Sequence, residues 1–240
     1  MGAGILPTTI HNGKLYFLFG KEGKYELSAP GFSDFGGGTD NKESFLKTAV
    51  REAGEELTGF LGNDSDVRNM LCKYGTYNID YKTDGHITYR MHIFPFEYNE
   101  WLPYYYNNNQ KFLQKRLPAK VFKTVPIFEK AEIRWVSIDE LKKMRPQFRC
   151  YFQNIVDMIL NQKESIKKFI EPKVALLEPK VALLEPKVAL LEPKVALLEP
   201  KVALLEPKVA SLEHCLKKST KKKTLRRNSG RRHTKTRRLA

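Results

Sequence analysis

GGTDNKESFLKTAVREAGEE, residues Gly37 to Glu56, is the stretch that decides the fold. Phe45, Leu46, Ala49, Val50 and Ala53 recur at intervals of three and four, so the segment from about Lys42 to Leu57 reads as a helix with one apolar face. Asp40, Asn41 or Lys42 would start it, with Glu43 in the first turn, where a negative charge suits the helix dipole. At about 100° per residue, Glu55 and Glu56 lie about 60° to one side and about 40° to the other of Glu52. Three carboxylates then share one strip beside the apolar face. Like charges so placed repel, and a hard divalent cation with a preference for oxygen ligands, Mg²⁺ or Mn²⁺, is the natural way to offset that repulsion. Gly36, Gly37 and Gly38 precede the helix, and glycine there predicts a turn that other residues avoid.

The array is ordered. Gly37 is followed after five residues by Glu43, Glu43 after seven by Arg51-Glu52, and Glu52 by Glu55-Glu56. This resembles the Nudix box, G-x5-E-x7-R-E-U-x-E-E-x-G-U with U apolar. That family hydrolyses nucleoside diphosphates linked to another group and uses divalent metal ions. The chain departs from the pattern at the helix exit. Thr58 stands where glycine is wanted and Gly59 where an apolar residue is wanted, which implies a longer or differently capped helix end. An ordinary solvated face is the plain reading of a carboxylate strip, but the whole glycine, glutamate and arginine array is in register here.

The resemblance covers roughly residues 2–165 and implies an α+β fold, a mixed sheet between helices in an α/β/α sandwich. It implies Glu52, Glu55 and Glu56 as metal ligands, a carbonyl near Gly37 as an extra ligand, and Arg51 orienting either Glu55 or Glu43. The general base is either a box glutamate or a carboxylate from a distant loop, for which Glu129 and Glu132 are candidates.

Outside the box, Gly4–Ile10 and Leu15–Gly20 read as strands joined at His11-Asn12-Gly13. Met70–Ile79, His86–Tyr98 and Ile133–Ile138 read as further strands, with a short helix opening at Asp139. Tyr151–Lys168 reads as one amphipathic helix with Phe152, Ile155, Val156, Ile159 and Leu160 on a face. The segment from Tyr98 to Phe128 is aromatic and basic. Tyr104, Tyr105, Lys111 and Arg116 stand out there as substrate-binding candidates, since aromatic faces stack on bases and cations meet phosphates. The alternative is that the tyrosines pack under a long loop.

Residues 1–170 form the globular part. Residues 171–212 repeat the heptad EPKVALL with a proline in every unit. Each interior proline costs a helix about 3 kcal/mol, so this reads as an extended or broken-helical spacer, in preference to a coiled coil or short solenoid. Residues 213–240 read as a disordered basic tail. The twelve Lys and Arg of residues 217–240, which include no Asp or Glu, account for all but three of the net charge of +15. The tail suits either RNA binding or nuclear import.

Three cysteines, Cys72, Cys150 and Cys215, have no paired spacing, and neither a signal peptide nor a membrane span is legible. The expectation is a cytoplasmic or nuclear protein, not secreted, with no membrane partner. It would act on a nucleotide or on capped messenger RNA, the latter by decapping. The alternatives are a hydrolase of small free nucleotides and a non-catalytic RNA-binding protein on the same fold.

Overall fold

A computed structural model of the chain describes residues 1–23, 30–40, 42–118, 120–121 and 129–177. The repeat from residue 178 and the basic tail lie outside the described residues. Seven strands form one mixed sheet: β1 (Gly2–His11), β2 (Lys14–Glu22), β3 (Phe32–Ser33), β4 (Phe35–Gly38), β5 (Tyr77–Thr83), β6 (His86–Pro95) and β7 (Lys130–Ser137). The expected hairpin between β1 and β2 turns on Asn12 and Gly13, both with positive φ, the pairing a tight two-residue hairpin demands. β1 is central. It runs antiparallel to β2 and β4 and parallel to β6, whose other edge carries β5. β2 also pairs with β7.

Among the described residues, six α-helices accompany the sheet: α1 (Phe45–Leu57), α2 (Asp64–Tyr74), α3 (Trp101–Arg116), α4 (Ile138–Met144), α5 (Phe152–Asn161) and α6 (Lys163–Val174). Strand alternation divides the core in two. Leu6, Phe17, Phe19 and Ile93 pack with Leu141, Ile155 and Ile166 from α4, α5 and α6. Ala3, Ile5, Leu18 and Phe94 pack with Ala49, Ala53, Leu57, Val67 and Tyr106 from α1, α2 and α3. Helices therefore cover both faces of the sheet, the three-layer arrangement that two-sided apolar strands require.

Several expectations are corrected. The box helix begins later than Lys42. Ser44 caps it by accepting from the Lys47 N–H, Lys42 sits in the left-handed region, and Glu43 falls outside the first turn. Gly36, Gly37 and Gly38 form no turn. They belong to β4 with ordinary negative φ. Met70–Ile79 is not one strand, because its first half completes α2. Asn63 caps that helix by accepting from Ser65 and Asp66 N–H, while the Asp66 carboxylate accepts from the Asn63 N–H, and Val67 and Leu71 bury one helical stripe. β7 starts at Lys130, and Ile138 already opens α4. The long amphipathic helix is two, α5 and α6, divided at Gln162, which accepts a hydrogen bond from the Tyr77 hydroxyl. α6 runs past residue 170 to Val174. Ile170 and Val174 are buried on this helix, and Pro172 lies inside its last turns.

The exit of α1 explains the displaced glycine. Thr58, not glycine, takes the left-handed cap at φ 50° and ψ 38°, donating its N–H to Gly54 O, and Gly59 follows at φ 84°. A β-branched residue is strained there by about 1–2 kcal/mol, and the Thr58 hydroxyl is buried with no hydrogen-bond partner. Thr58→Gly is therefore expected to stabilise the protein by about 1 kcal/mol. This would be read as a higher urea midpoint at an unchanged m-value; a lower midpoint would show that the threonine packs favourably.

Candidate functional site

β4 lies against β1 with glycine facing glycine. Gly2 pairs with Gly38, and Gly4 with Gly36. The need is for close approach. A Cβ on Gly37 would sit 2.6 Å from the Glu52 carboxylate, and one on Gly36 would sit 2.4 Å from the Tyr89 hydroxyl. With no Cβ at Gly37, α1 lays the Glu52 carboxylate directly on β4.

Above this floor is a cleft of about 420 Å³. It is lined by Met1, Gly2, Gly36, Gly37, Gly38, Glu22, Glu52, Glu56, Tyr89, Glu129, Arg149 and Tyr151. Of the residues singled out in the sequence, Gly37, Glu52, Glu56 and Glu129 meet here. Glu129 directly precedes β7, whereas Glu132 lies within that strand opposite Lys21 and away from the cleft. Glu55 is also outside the lining. It turns, half-exposed, toward Arg51.

Arg51 gathers the carboxylates on the outer side of α1. Its guanidinium lies 2.8 Å from Glu52 Oε1, 3.3 Å from Glu43 Oε2 and 3.4 Å from Glu55 Oε2, and donates to Gly38 O at 2.9 Å. Arg51 therefore meets both of its expected partners and Glu52 as well. Burial raises the Glu52 carboxyl above its usual range, with Arg51 opposing the shift.

The deepest charged group was not foreseen. Lys130, fully buried, binds Glu22 and lies 3.1 Å from Glu56 Oε1. It also donates to Ser33 Oγ at 2.8 Å, and Arg149 donates to Glu22 Oε1 at 2.7 Å. Glu56 accepts as well from the Gly36 N–H at 3.0 Å. Burial opposes the Lys130 charge, but Glu56 and Glu22 outweigh it and hold its pKa above the ordinary value. Burial drives the Glu56 carboxyl well up, with Lys130 pulling against it. Beside them Asp34 accepts from the Tyr89 hydroxyl at 2.8 Å and 2.9 Å. Burial, only partly countered by that hydroxyl, pushes Asp34 from 3.8 to about 7. No local pattern signals Lys130, Glu22 or Arg149, since their partners are far away in sequence.

α3 carries the aromatic and basic segment. Tyr106 packs into the core, and its hydroxyl donates to Glu56 O at 2.7 Å. Tyr104, Tyr105, Lys111 and Arg116 are exposed and do not line the cleft.

Among the described residues, no group of three or more His, Cys, Asp or Glu side chains is gathered closely enough to hold a metal ion. The donors nevertheless suit a hard cation in kind. Glu22, Glu52, Glu56 and Glu129 outnumber Lys130 and Arg149 around the cleft, and the glycine floor leaves room where a Cβ would strike Glu52. Cys72 and Cys150 are free and exposed, and no described helix is long and apolar enough to cross a membrane.

No protein-family model matches the chain, and no curated protein matches it. Solved structures do. A Nudix hydrolase from M. smegmatis, RenU, is 14% identical over 69% of this chain and 86% of its own, with a TM-score of 0.40. The C. elegans Ap4A hydrolase in a binary complex is 13% identical over 65% of this chain and 91% of its own, with a TM-score of 0.35. The NUDIX domain of Shewanella oneidensis NrtR complexed with ADP ribose is 12% identical over 68% and 85%, with a TM-score of 0.34.

Removing Lys130 strands two buried carboxylates, so Lys130→Met should cost about 3–5 kcal/mol in chemical denaturation; a loss below about 1 kcal/mol would mean that Glu22 and Glu56 are held otherwise. Asp34 sets a pH dependence. Between about pH 4 and 7 the native chain holds a proton at Asp34 that the unfolded chain has released, so this group's contribution to stability is full below its unfolded pKa and falls as pH rises through the window. Asp34→Asn should flatten that slope and be about 2–4 kcal/mol more stable than the parent at pH 8. Parallel pH–stability curves would remove the assignment.

Proposed function

We propose that this chain is a metal-dependent hydrolase that cleaves a phosphoanhydride in nucleoside-diphosphate-linked substrates. The single observation that carries the reading is the register of the box from Gly37 to Glu56, with Glu52 and Glu56 lining one cleft over a side-chain-free glycine floor. A polyphosphate that carries its own cation brings positive charge to a cleft lined by carboxylates.

In this reading Glu52 and Glu56 hold Mg²⁺ or Mn²⁺, with Glu55 turning in from Arg51 and a carbonyl near Gly37 as further donors. When bound, the ion neutralises charge that builds on the phosphates and makes its water a stronger nucleophile. The chain's own residues do the rest. Arg51 fixes the rotamer of Glu52 through its guanidinium. Lys130 holds Glu56 from behind. Glu129, at the cleft wall, takes the proton of the attacking water, and Arg149, which lines the same cleft, meets a phosphate oxygen.

A second reading narrows the substrate to capped RNA, with the reaction a decapping. It is favoured by the twelve cations of residues 217–240, which attract polyphosphate by releasing counterions. A non-catalytic RNA-binding role is disfavoured by the intact Glu52, Glu55 and Glu56 set.

Glu52→Gln and Glu55→Gln are expected to lower the rate by about a hundredfold or more, with an unchanged thermal transition and a weakened dependence on added Mg²⁺. A panel of free dinucleotides beside cap-labelled RNA assigns the substrate. Undiminished turnover in both variants would withdraw the catalytic assignment.

A further inference from the structure

α3 is held by one face only. Asn107 donates its amide to Ile133 O and accepts from Ile133 N–H, so its side chain pairs with β7 as a neighbouring strand would. Tyr106 anchors the same face to Glu56 O, and the Trp135 indole donates to Asn99 O just before the helix. Among the described residues, the opposite face is the exposed one. Trp101, Tyr104, Tyr105 and Phe112 are each more than half exposed, and they are four of the seven large exposed apolar side chains among the described residues. At intervals of three and four they form one stripe with Lys111 and Arg116. The rings are set edge to face, Trp101 to Tyr104 at 5.7 Å and Tyr104 to Tyr105 at 5.5 Å, and the Arg116 guanidinium lies 5.5 Å over Phe112. The helix contains no Asp or Glu.

We propose that this outer face of α3 is a docking surface for single-stranded RNA, separate from the cleft. A plain apolar interface would not interleave cations with its rings, and a solvated helix would not expose four aromatic side chains together. Open π-faces take unpaired bases, while Lys111 and Arg116 meet the phosphates between them. Duplexes, whose bases are already stacked, cannot use the rings. Asn108, exposed within the stripe, adds an amide donor and acceptor for a ribose hydroxyl. The anchoring of Tyr106 on the carbonyl of Glu56 sets the platform beside the box helix. The inference concerns binding and does not depend on hydrolysis.

The test uses the full chain and a short oligouridylate, followed by tryptophan emission and by competition with duplex RNA and with the same sequence as DNA. Trp101 is exposed and Trp135 is buried, so stacking should quench the emission. Tyr104→Ser with Tyr105→Ser should weaken single-strand binding about tenfold or more, leave duplex binding unchanged, and leave the salt slope set by the basic tail unaltered. The thermal transition should not move, because both rings are exposed. Absence of quenching, equal losses on duplex and single strand, or equally tight binding of DNA would each overturn the assignment. So would a homodimer that the double substitution dissociates, since the face would then belong to a second copy of the chain.

Discussion

A lysine ammonium with no access to solvent, set between two buried glutamates, is the constraint around which this molecule is arranged. Lys130 begins β7, Glu22 ends β2 and Glu56 lies in the last turn of α1, so one cation ties both edges of a strand pair to the box helix. Such pairs rarely add net stability, since desolvation consumes most of the Coulombic gain, but they are expensive to break on one side only. Their effect is on geometry. The carboxylate of Glu56 cannot retreat from the cleft without leaving Lys130 uncompensated, and Arg149 keeps Glu22 from leaving in its place.

The glycine floor and the charge cluster depend on each other. Glu52 reaches β4 because Gly37 carries no Cβ, and the Gly36 N–H completes the shell of Glu56. Asp34 and Tyr89 close the same region from the side, with burial pushing the Asp34 carboxyl up to about 7. An alanine at position 37 would strike the Glu52 carboxylate, and one at position 36 would strike β1 and the Tyr89 hydroxyl.

How much of this the sequence disclosed follows from the range of the interactions involved. Local patterns were readable. The apolar stripe of α1, the Asn12-Gly13 hairpin, and the stripe of Phe152, Ile155, Val156 and Ile159 all rest on neighbours within four residues. The α2 helix was also local, but its cap uses Asn63 with Asp66 where the more familiar form has serine or threonine with glutamate, and Met70 to Ile79 then looked strand-like. A run of glycines suggests freedom to turn, whereas the fold uses their lack of a Cβ in extended strands, a difference that only the partner strand and Glu52 reveal. Lys130, Glu22 and Arg149 were invisible for the same reason. Of the two loop carboxylates, spacing could not distinguish Glu129 from Glu132, but strand pairing places only Glu129 at the cleft.

The order of the strands carries a cost in time. β1 comes early in the chain and occupies the middle of the sheet, and its parallel neighbour β6 pairs Gly2 with Tyr89. Hairpins between β1 and β2 and between β5 and β6 can close quickly, but joining them requires a long loop whose entropy is lost before the central contacts reward it. Until β6 arrives, one side of β1 exposes Ile5 and Leu6 along an unpaired backbone edge, the form most prone to pairing with another chain. Slow, concentration-sensitive refolding is the kinetic signature that this topology writes into the molecule.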